Sequence, residues 1–172
     1  VTFAGTYTYD LVTEWEVTAG EATQMIYNYY YQSNFSKILR IREGDKDIPV
    51  AFTNTFSTSG TKTLKYSFTD KTVPGSIFEK CPALCGVRVS NTVTGIGGYA
   101  FSKTSIRHFE LPATVTSYGS GVLYDCLELE SVILPDNLTE IYDSMFRGCE
   151  SLTVIDIPDG VTKLGDFAFD GC

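Results

Sequence analysis

Leu138-Thr139-Glu140-Ile141-Tyr142-Asp143-Ser144-Met145-Phe146-Arg147-Gly148-Cys149-Glu150-Ser151-Leu152-Thr153-Val154-Ile155-Asp156-Ile157-Pro158 decides how this chain folds, because its pattern is written more than once. After the opening Leu138 to Ile141, the residues that recur are Met145-Phe146, Cys149, Leu152, Ile155, Ile157 and Pro158. Upstream, Val93-Thr94-Gly95-Ile96-Gly97-Gly98-Tyr99-Ala100-Phe101 opens a unit that ends at Leu111-Pro112, and Val115-Thr116-Ser117-Tyr118-Gly119 opens one that closes with Val132-Ile133-Leu134-Pro135. Downstream, Val161 to Phe169 begins the pattern again and stops at Cys172. A degenerate forerunner runs through Ile77-Phe78, Cys81, Leu84, Val87 and Val89. Phe78, Phe101, Leu123, Phe146 and Phe169 are separated by 23, 22, 23 and 23 residues, the 22 following a one-residue deletion between Thr104 and Ile106.

A period in the low twenties is that of a leucine-rich-repeat solenoid, in which each unit adds one strand and one turn or short helix. Leu152-x-x-Ile155-x-Ile157 is the strand part, with alternate apolar residues facing inward. Proline ends the ladder after Leu111, Leu134 and Ile157, since it has no N–H to donate. The Ala-Phe pair and the cysteine fall on the opposite wall. The units are 71–92 (forerunner), 93–114, 115–137, 138–160 and a truncated 161–172. A solenoid needs a terminal cap over its open core, so a chain that stops mid-repeat is expected to belong to a longer protein, with further repeats as neighbours.

Residues 1–70 follow another rule. They hold eight acidic and six basic side chains against thirteen and seven in the remainder, no cysteine, seven of the eleven tyrosines and the single tryptophan. Thr13 to Thr18 and Lys62 to Phe68 alternate with period two, as half-buried strands do. Met25 to Tyr31 and Lys37 to Arg42 are further strand candidates. Turns are marked at Ala19-Gly20, Glu43-Gly44-Asp45-Lys46 and Ser57 to Thr61. Short strands at this spacing predict a small β-sandwich. The fold class expected for the whole chain is therefore mainly β: a sandwich over 1–70 followed by a repeat solenoid over 71–172.

Composition narrows the function. The chain has 172 residues, 21 acidic and 13 basic, for a formal charge of -8. That balance argues against a surface that tracks phosphates, and so against nucleic acid. No apolar run approaches the ~18 residues of a membrane helix. One histidine, His108, limits chemistry that needs imidazole as base, ligand or triad member.

The string Val-Thr-x-Ile-Gly-x-x-Ala-Phe-x-x-Cys-x-x-Leu-x-x-Ile-x-Ile-Pro resembles the BspA-type leucine-rich repeat of bacterial surface proteins, over residues 71–172. Departures are Thr104 for cysteine, Leu123 for phenylalanine and Ser90 for proline. Phe56-Ser57-Thr58-Ser59-Gly60 with Leu64, Tyr66, Phe68 and Asp70 resembles the closing hairpin of an immunoglobulin-like or PKD-like module. Residues 1–70 thus look like the β module that precedes such repeats in Bacteroidetes proteins. The resemblance implies a secreted or surface-anchored adhesion protein that binds a host or matrix protein and is not an enzyme. It names no particular ligand.

Cys81, Cys126, Cys149 and Cys172 share one repeat position, filled by Thr104 in the remaining unit, and read as a column of buried free thiols. A disulfide between neighbouring coils is the rival reading; zinc is disfavoured because ligands converge on a point and these lie along an axis. Cys85 stands outside the column and reads as core filler. Gly97, Gly119 and Gly165 share a position and suggest a tight turn, not a phosphate loop, since no lysine follows Gly95-Ile96-Gly97-Gly98. No cofactor is implied.

The outward strand positions Arg88, His108, Glu110, Ser131, Ile133, Val154 and Asp156 form the expected ligand-binding face, Ile133 and Val154 being apolar where water is expected. Tyr27, Tyr29, Tyr30 and Tyr31 with Trp15 offer an alternative, a glycan-binding platform on the N-terminal unit. A structural spacer is the third reading. Asn34-Phe35-Ser36 and Asn137-Leu138-Thr139 match the glycosylation sequon, which carries little weight in a bacterial protein.

Overall fold

The computed structural model describes residues 9–24, 37–48, 51 and 53–172. The run Met25 to Tyr31 and the sequon at Asn34 lie outside the described residues. The first part contributes β1 (Leu11–Val17), β2 (Ala22–Gln24), β3 (Ile38–Glu43), β4 (Lys46–Ile48), β5 (Thr53–Thr55) and β6 (Gly60–Phe68). The repeats contribute β7 (Thr72–Val73), β8 (Leu84–Val89), β9 (Gly95–Ile96), β10 (His108–Glu110), β11 (Ser117–Tyr118), β12 (Ser131–Ile133), β13 (Glu140–Ile141) and β14 (Lys163–Leu164). No α-helix occurs among the described residues.

Each repeat makes one coil with three walls. Short parallel strands form the first wall, in the order β11-β9-β7 and in the pair β13-β14. A run of turns forms the second, at 75–80, 98–103, 120–125, 143–148 and 166–171. The third is the strand wall, with β10 parallel to β12 and β8 beside β10.

The turn wall has no helix because two residues per coil, four apart, sit in the left-handed region: Ser76 and Lys80, Tyr99 and Lys103, Gly121 and Asp125, Ser144 and Gly148, Phe167 and Gly171. A helix cannot run through such residues. What the turns lose in local hydrogen bonds they recover between coils. Ser76, Phe78 and Lys80 donate to the carbonyls of Gly98, Ala100 and Ser102 at 2.9, 3.0 and 2.9 Å. The same three rungs repeat at every later step, as from Ser144, Phe146 and Gly148 to Asp166, Ala168 and Asp170.

Behind this wall runs the column that set the period. Phe78 stacks on Phe101 at 5.7 Å between ring centroids, Leu123 continues the buried line, and Phe146 stacks on Phe169 at 5.5 Å. Phe78, Phe101, Leu123 and Phe146 are fully buried and contribute about 1.5–3 kcal/mol each, whereas Phe169 is half-buried. The proline turns also repeat: the carbonyls of Pro112, Pro135 and Pro158 accept from Val115, Leu138 and Val161. The last strand segment departs from expectation. Residues 152–158 form no ladder, and only Leu152 is buried, with Ile155 half-buried and Ile157 exposed.

The five-stranded sheet has the order β4-β3-β6-β1-β8, so strands from before and after residue 70 share it. β1 pairs antiparallel with β6 on one side and with β8, the strand of the forerunner repeat, on the other. The edge of the strand wall is thereby covered. A two-stranded ribbon, β2 with β5, accompanies the main sheet. Trp15 and Tyr66 meet Phe78 edge-on at 5.9 and 5.2 Å, closing the core of the first coil with rings from the antiparallel part.

One carboxylate ties this junction. Asp10, wholly buried, accepts from Phe68 N–H at 2.8 Å, Lys71 Nζ at 2.9 Å and Thr92 Oγ1 at 2.6 Å. Ser90 explains its own departure from proline: its N–H donates to the Asp10 carbonyl at 3.0 Å, a bond proline could not make.

The recurring glycines need correction. Gly97, Gly119 and Gly165 are not in the left-handed region, so no special turn requires them. Their constraint is the approach of the preceding coil: a Cβ would stand 2.6 Å from Gly75 Cα, 2.5 Å from Gly98 Cα and 2.6 Å from Tyr142 C, respectively.

Candidate interaction surface

All seven residues expected on the outward strand face are exposed: Arg88 on β8, His108 and Glu110 on β10, Ser131 and Ile133 on β12, then Val154 and Asp156. The register places them in two rows. His108 lies opposite Ser131 and Glu110 opposite Ile133, with Phe109 and Val132 between them pointing into the core. Val154 and Asp156 hold the same repeat positions one coil on. Ile133 is 62% and Val154 74% exposed, a pair of branched apolar side chains from neighbouring coils on a face that water would otherwise cover.

The rows continue into the antiparallel part. Arg88 lies opposite Val12, Val12 opposite Lys65, and Lys65 opposite Arg42. Arg42 is held by Asp47 at 3.0 Å and donates to Tyr9 Oη at 3.1 Å and to the Asp45 carbonyl. The face therefore runs from basic side chains on β3, β6 and β8 to apolar and acidic ones at Ile133, Val154 and Asp156.

The thiols lie elsewhere. All five cysteines are free. Cys126, Cys149 and Cys172 direct Sγ at the carbonyls of Phe101, Leu123 and Phe146 at 3.1, 3.2 and 3.1 Å, so each thiol bonds back to the preceding coil. Thr104 fits the column because its hydroxyl donates to the Phe101 carbonyl at 2.8 Å and meets Cys126 Sγ at 3.5 Å. Burial pushes the Cys81 thiol up to about 12, assisted by Glu79, and raises Cys126 and Cys149 as well. Thiolate is the reactive form, so the column is built for packing. Cys85 is not core filler: it is half-buried at the irregularity where β8 slips against Glu14 and Trp15, with Sγ 3.4 Å from the Glu14 carbonyl.

The family model described as "BspA type Leucine rich repeat region" matches residues 51–172, in six copies. The chain belongs to the BspA-type leucine-rich repeat family. A leucine-rich repeat protein from Bacteroides ovatus has a similar solved structure, with TM-score 0.53 and 24% identity over 58% of this chain and 32% of that one. A Treponema pallidum leucine-rich repeat protein aligns with TM-score 0.46 and 26% identity over 59% of this chain and 62% of that one. A leucine rich cell surface protein from Faecalibacterium prausnitzii aligns with TM-score 0.41 and 21% identity over 55% and 35%. This BspA-type chain thus spans between about a third and three-fifths of the length of these proteins. No curated protein matches it in sequence.

Leucine-rich repeats commonly mediate protein–protein interaction and are generally non-catalytic. In this BspA-type repeat, His108 bonds through Nδ1 to Ser131 Oγ at 2.9 Å, on an exposed sheet face. The neighbouring Arg107 and Glu128 pair with each other at 3.0 Å. No cluster of three or more His, Cys, Asp or Glu side chains able to hold a metal occurs among the described residues. Tyr27, Tyr29, Tyr30 and Tyr31 lie outside the described residues, while Trp15, grouped with them on sequence, is fully buried and cannot offer a face to a sugar. Residues that the repeat pattern did not single out are Tyr99, Tyr124, Arg147 and Phe167 on the turn wall. For Tyr99 and Phe167 the signal was a bulky side chain at a position where the other repeats have Ser76, Gly121 and Ser144; Tyr124 and Arg147 share a position with Glu79, Ser102 and Asp170 and gave no such signal.

Proposed function

We propose that the chain is a non-catalytic, extracellular interaction module of a bacterial surface protein, and that it adheres to a host or matrix protein through the strand wall. The contact residues would be Arg88, His108, Glu110, Ser131, Ile133, Val154 and Asp156. The observation that carries this reading is the exposure of Ile133 and Val154 on neighbouring coils of one outward face, Ile133 sharing its row with the charged Glu110 and Asp156. Side chains with no part in the core can vary without loss of fold, which is how one scaffold serves many ligands. The extracellular setting is what the family resemblance implies, and burial of Cys81, Cys126 and Cys149 would keep those thiols from oxidation there. In this reading residues 1–70 form an immunoglobulin-like unit, and its β1 caps the repeats of 71–172.

The test is a pull-down of collagen, fibronectin, laminin and mucin by the immobilised chain. Retention of at least one of them, lost on Glu110→Lys with Asp156→Lys, is the expected result. Retention untouched by both reversals would remove this face from consideration.

A further inference from the structure

We propose that the turn wall carries a second, independent binding strip, for neutral glycans, formed by Tyr99, Tyr124, Arg147 and Phe167 on four successive coils. The Tyr99 ring lies across Gly121, where a Cβ would stand 2.7 Å from its Cδ1, and meets Tyr124 edge-on at 5.9 Å. The Arg147 guanidinium lies 5.9 Å from the Tyr124 ring and 4.9 Å from the Phe167 ring, and Lys103 Nζ is 5.6 Å from Tyr124. Two adjoining rings, a guanidinium and a third ring therefore follow one another along the solenoid axis, about 14 Å over three coil steps at strand spacing.

Two observations set this strip apart from packing. Tyr99 and Phe167 occupy one repeat position, both in the left-handed region that bulky residues avoid, where the other coils have Ser76, Gly121 and Ser144. Tyr99 remains 40% open to solvent even with the next coil lying against it. A large ring held in a disfavoured conformation and left partly uncovered is the mark of a contact surface.

Charge selects the ligand. Lys103 pairs with Asp125 at 3.5 Å and Arg147 with Asp170 at 3.0 Å, so each cation is matched and the strip is neutral. A polyanion would meet Asp125 and Asp170. A polycation would meet Lys103 and Arg147. Apolar ring faces beside fixed donors and acceptors suit a saccharide, whose C–H faces stack on the rings while its hydroxyls bridge guanidinium and carboxylate. The strip shares no residue with the strand wall, and its success or failure is separate from that of the protein-binding face.

The experiment is affinity electrophoresis of the full chain through gels holding a soluble β-glucan, xylan or galactomannan, with heparin as the polyanion arm. Tyr99→Ser and Phe167→Ser restore the serine of neighbouring coils, and circular dichroism with thermal melting confirms that both still fold. Retardation by at least one neutral polysaccharide is expected, with apparent affinity falling about fivefold to tenfold in each variant. Glu110→Lys on the strand wall should leave it unchanged. No retardation by any neutral polysaccharide, retardation by heparin alone, a double serine variant as retarded as the parent, or loss on Glu110→Lys would each overturn the proposal.

Discussion

On the strand wall, His108 and Ser131 or Glu110 and Ile133 stand side by side with nothing required of them beyond solubility. On the turn wall, the same coils stack through left-handed residues, thiols bonded to the preceding coil and a buried column of two stacked ring pairs joined by Leu123. Both walls repeat every 22 or 23 residues, yet they treat their side chains in opposite ways. The strand wall places its structural demand on the backbone ladder and the inward residues, which frees the outward ones. The turn wall has less regular backbone and places the demand on particular side chains. Adaptable recognition therefore belongs on the strand wall, whereas on the turn wall Tyr99 and Phe167 project at some conformational expense.

Substitutions that break one wall and spare the other measure this difference. The largest effect should come from Phe101→Ala, which removes a fully buried ring that stacks on Phe78 and leans against Phe109. Its loss should cost about 3–5 kcal/mol in urea unfolding. Asp10→Ala comes next. It strands the Phe68 N–H and the Thr92 hydroxyl and removes the partner of Lys71, for an expected loss of about 3 kcal/mol, visible as a lowered unfolding midpoint. Gly97→Ala should cost about 1–3 kcal/mol by thermal melting, because the added methyl meets backbone of the preceding coil, which can yield only by shifting that coil. Cys149→Thr copies the native Thr104 and should stay within about 1 kcal/mol by the same measurement, because the hydroxyl can donate to the Phe146 carbonyl of its own coil as Thr104 does to Phe101. Smallest of all, Glu110→Lys should change stability by no more than about 0.5 kcal/mol. A loss from Glu110→Lys as large as that from Gly97→Ala would erase the distinction between the walls.

The two walls were not equally legible. The spacing of Phe78, Phe101, Leu123, Phe146 and Phe169 revealed the coil period, and alternation around Phe109 and Val132 correctly placed His108, Glu110, Ser131 and Ile133 outward. Period-two patterning also located β1 and β6. The turn wall was harder. Turn and short helix are equally compatible with a 23-residue spacing, and the left-handed residues that exclude a helix are mostly not glycine, so Tyr99, Lys103 and Phe167 gave no local sign. The shared glycine position was visible, but its reason is the distance between coils, which one repeat cannot reveal. The junction was harder still. Asp10 and Ser90 occur once each, lie 80 residues apart and meet only because β1 pairs with β8. Periodicity cannot report a contact made a single time.

The account rests most heavily on the strand wall as the place where a protein ligand docks. Surface plasmon resonance of the chain over immobilised collagen, fibronectin, laminin and mucin, with the Ile133→Asp and Val154→Asp variants in parallel, tests this directly. The account predicts binding to at least one of these proteins, weakened about tenfold or more in each variant, which is at least 1.4 kcal/mol, with the thermal midpoint unchanged. Binding to none of them, or affinities that stay within about twofold of the parent in both variants, would contradict it.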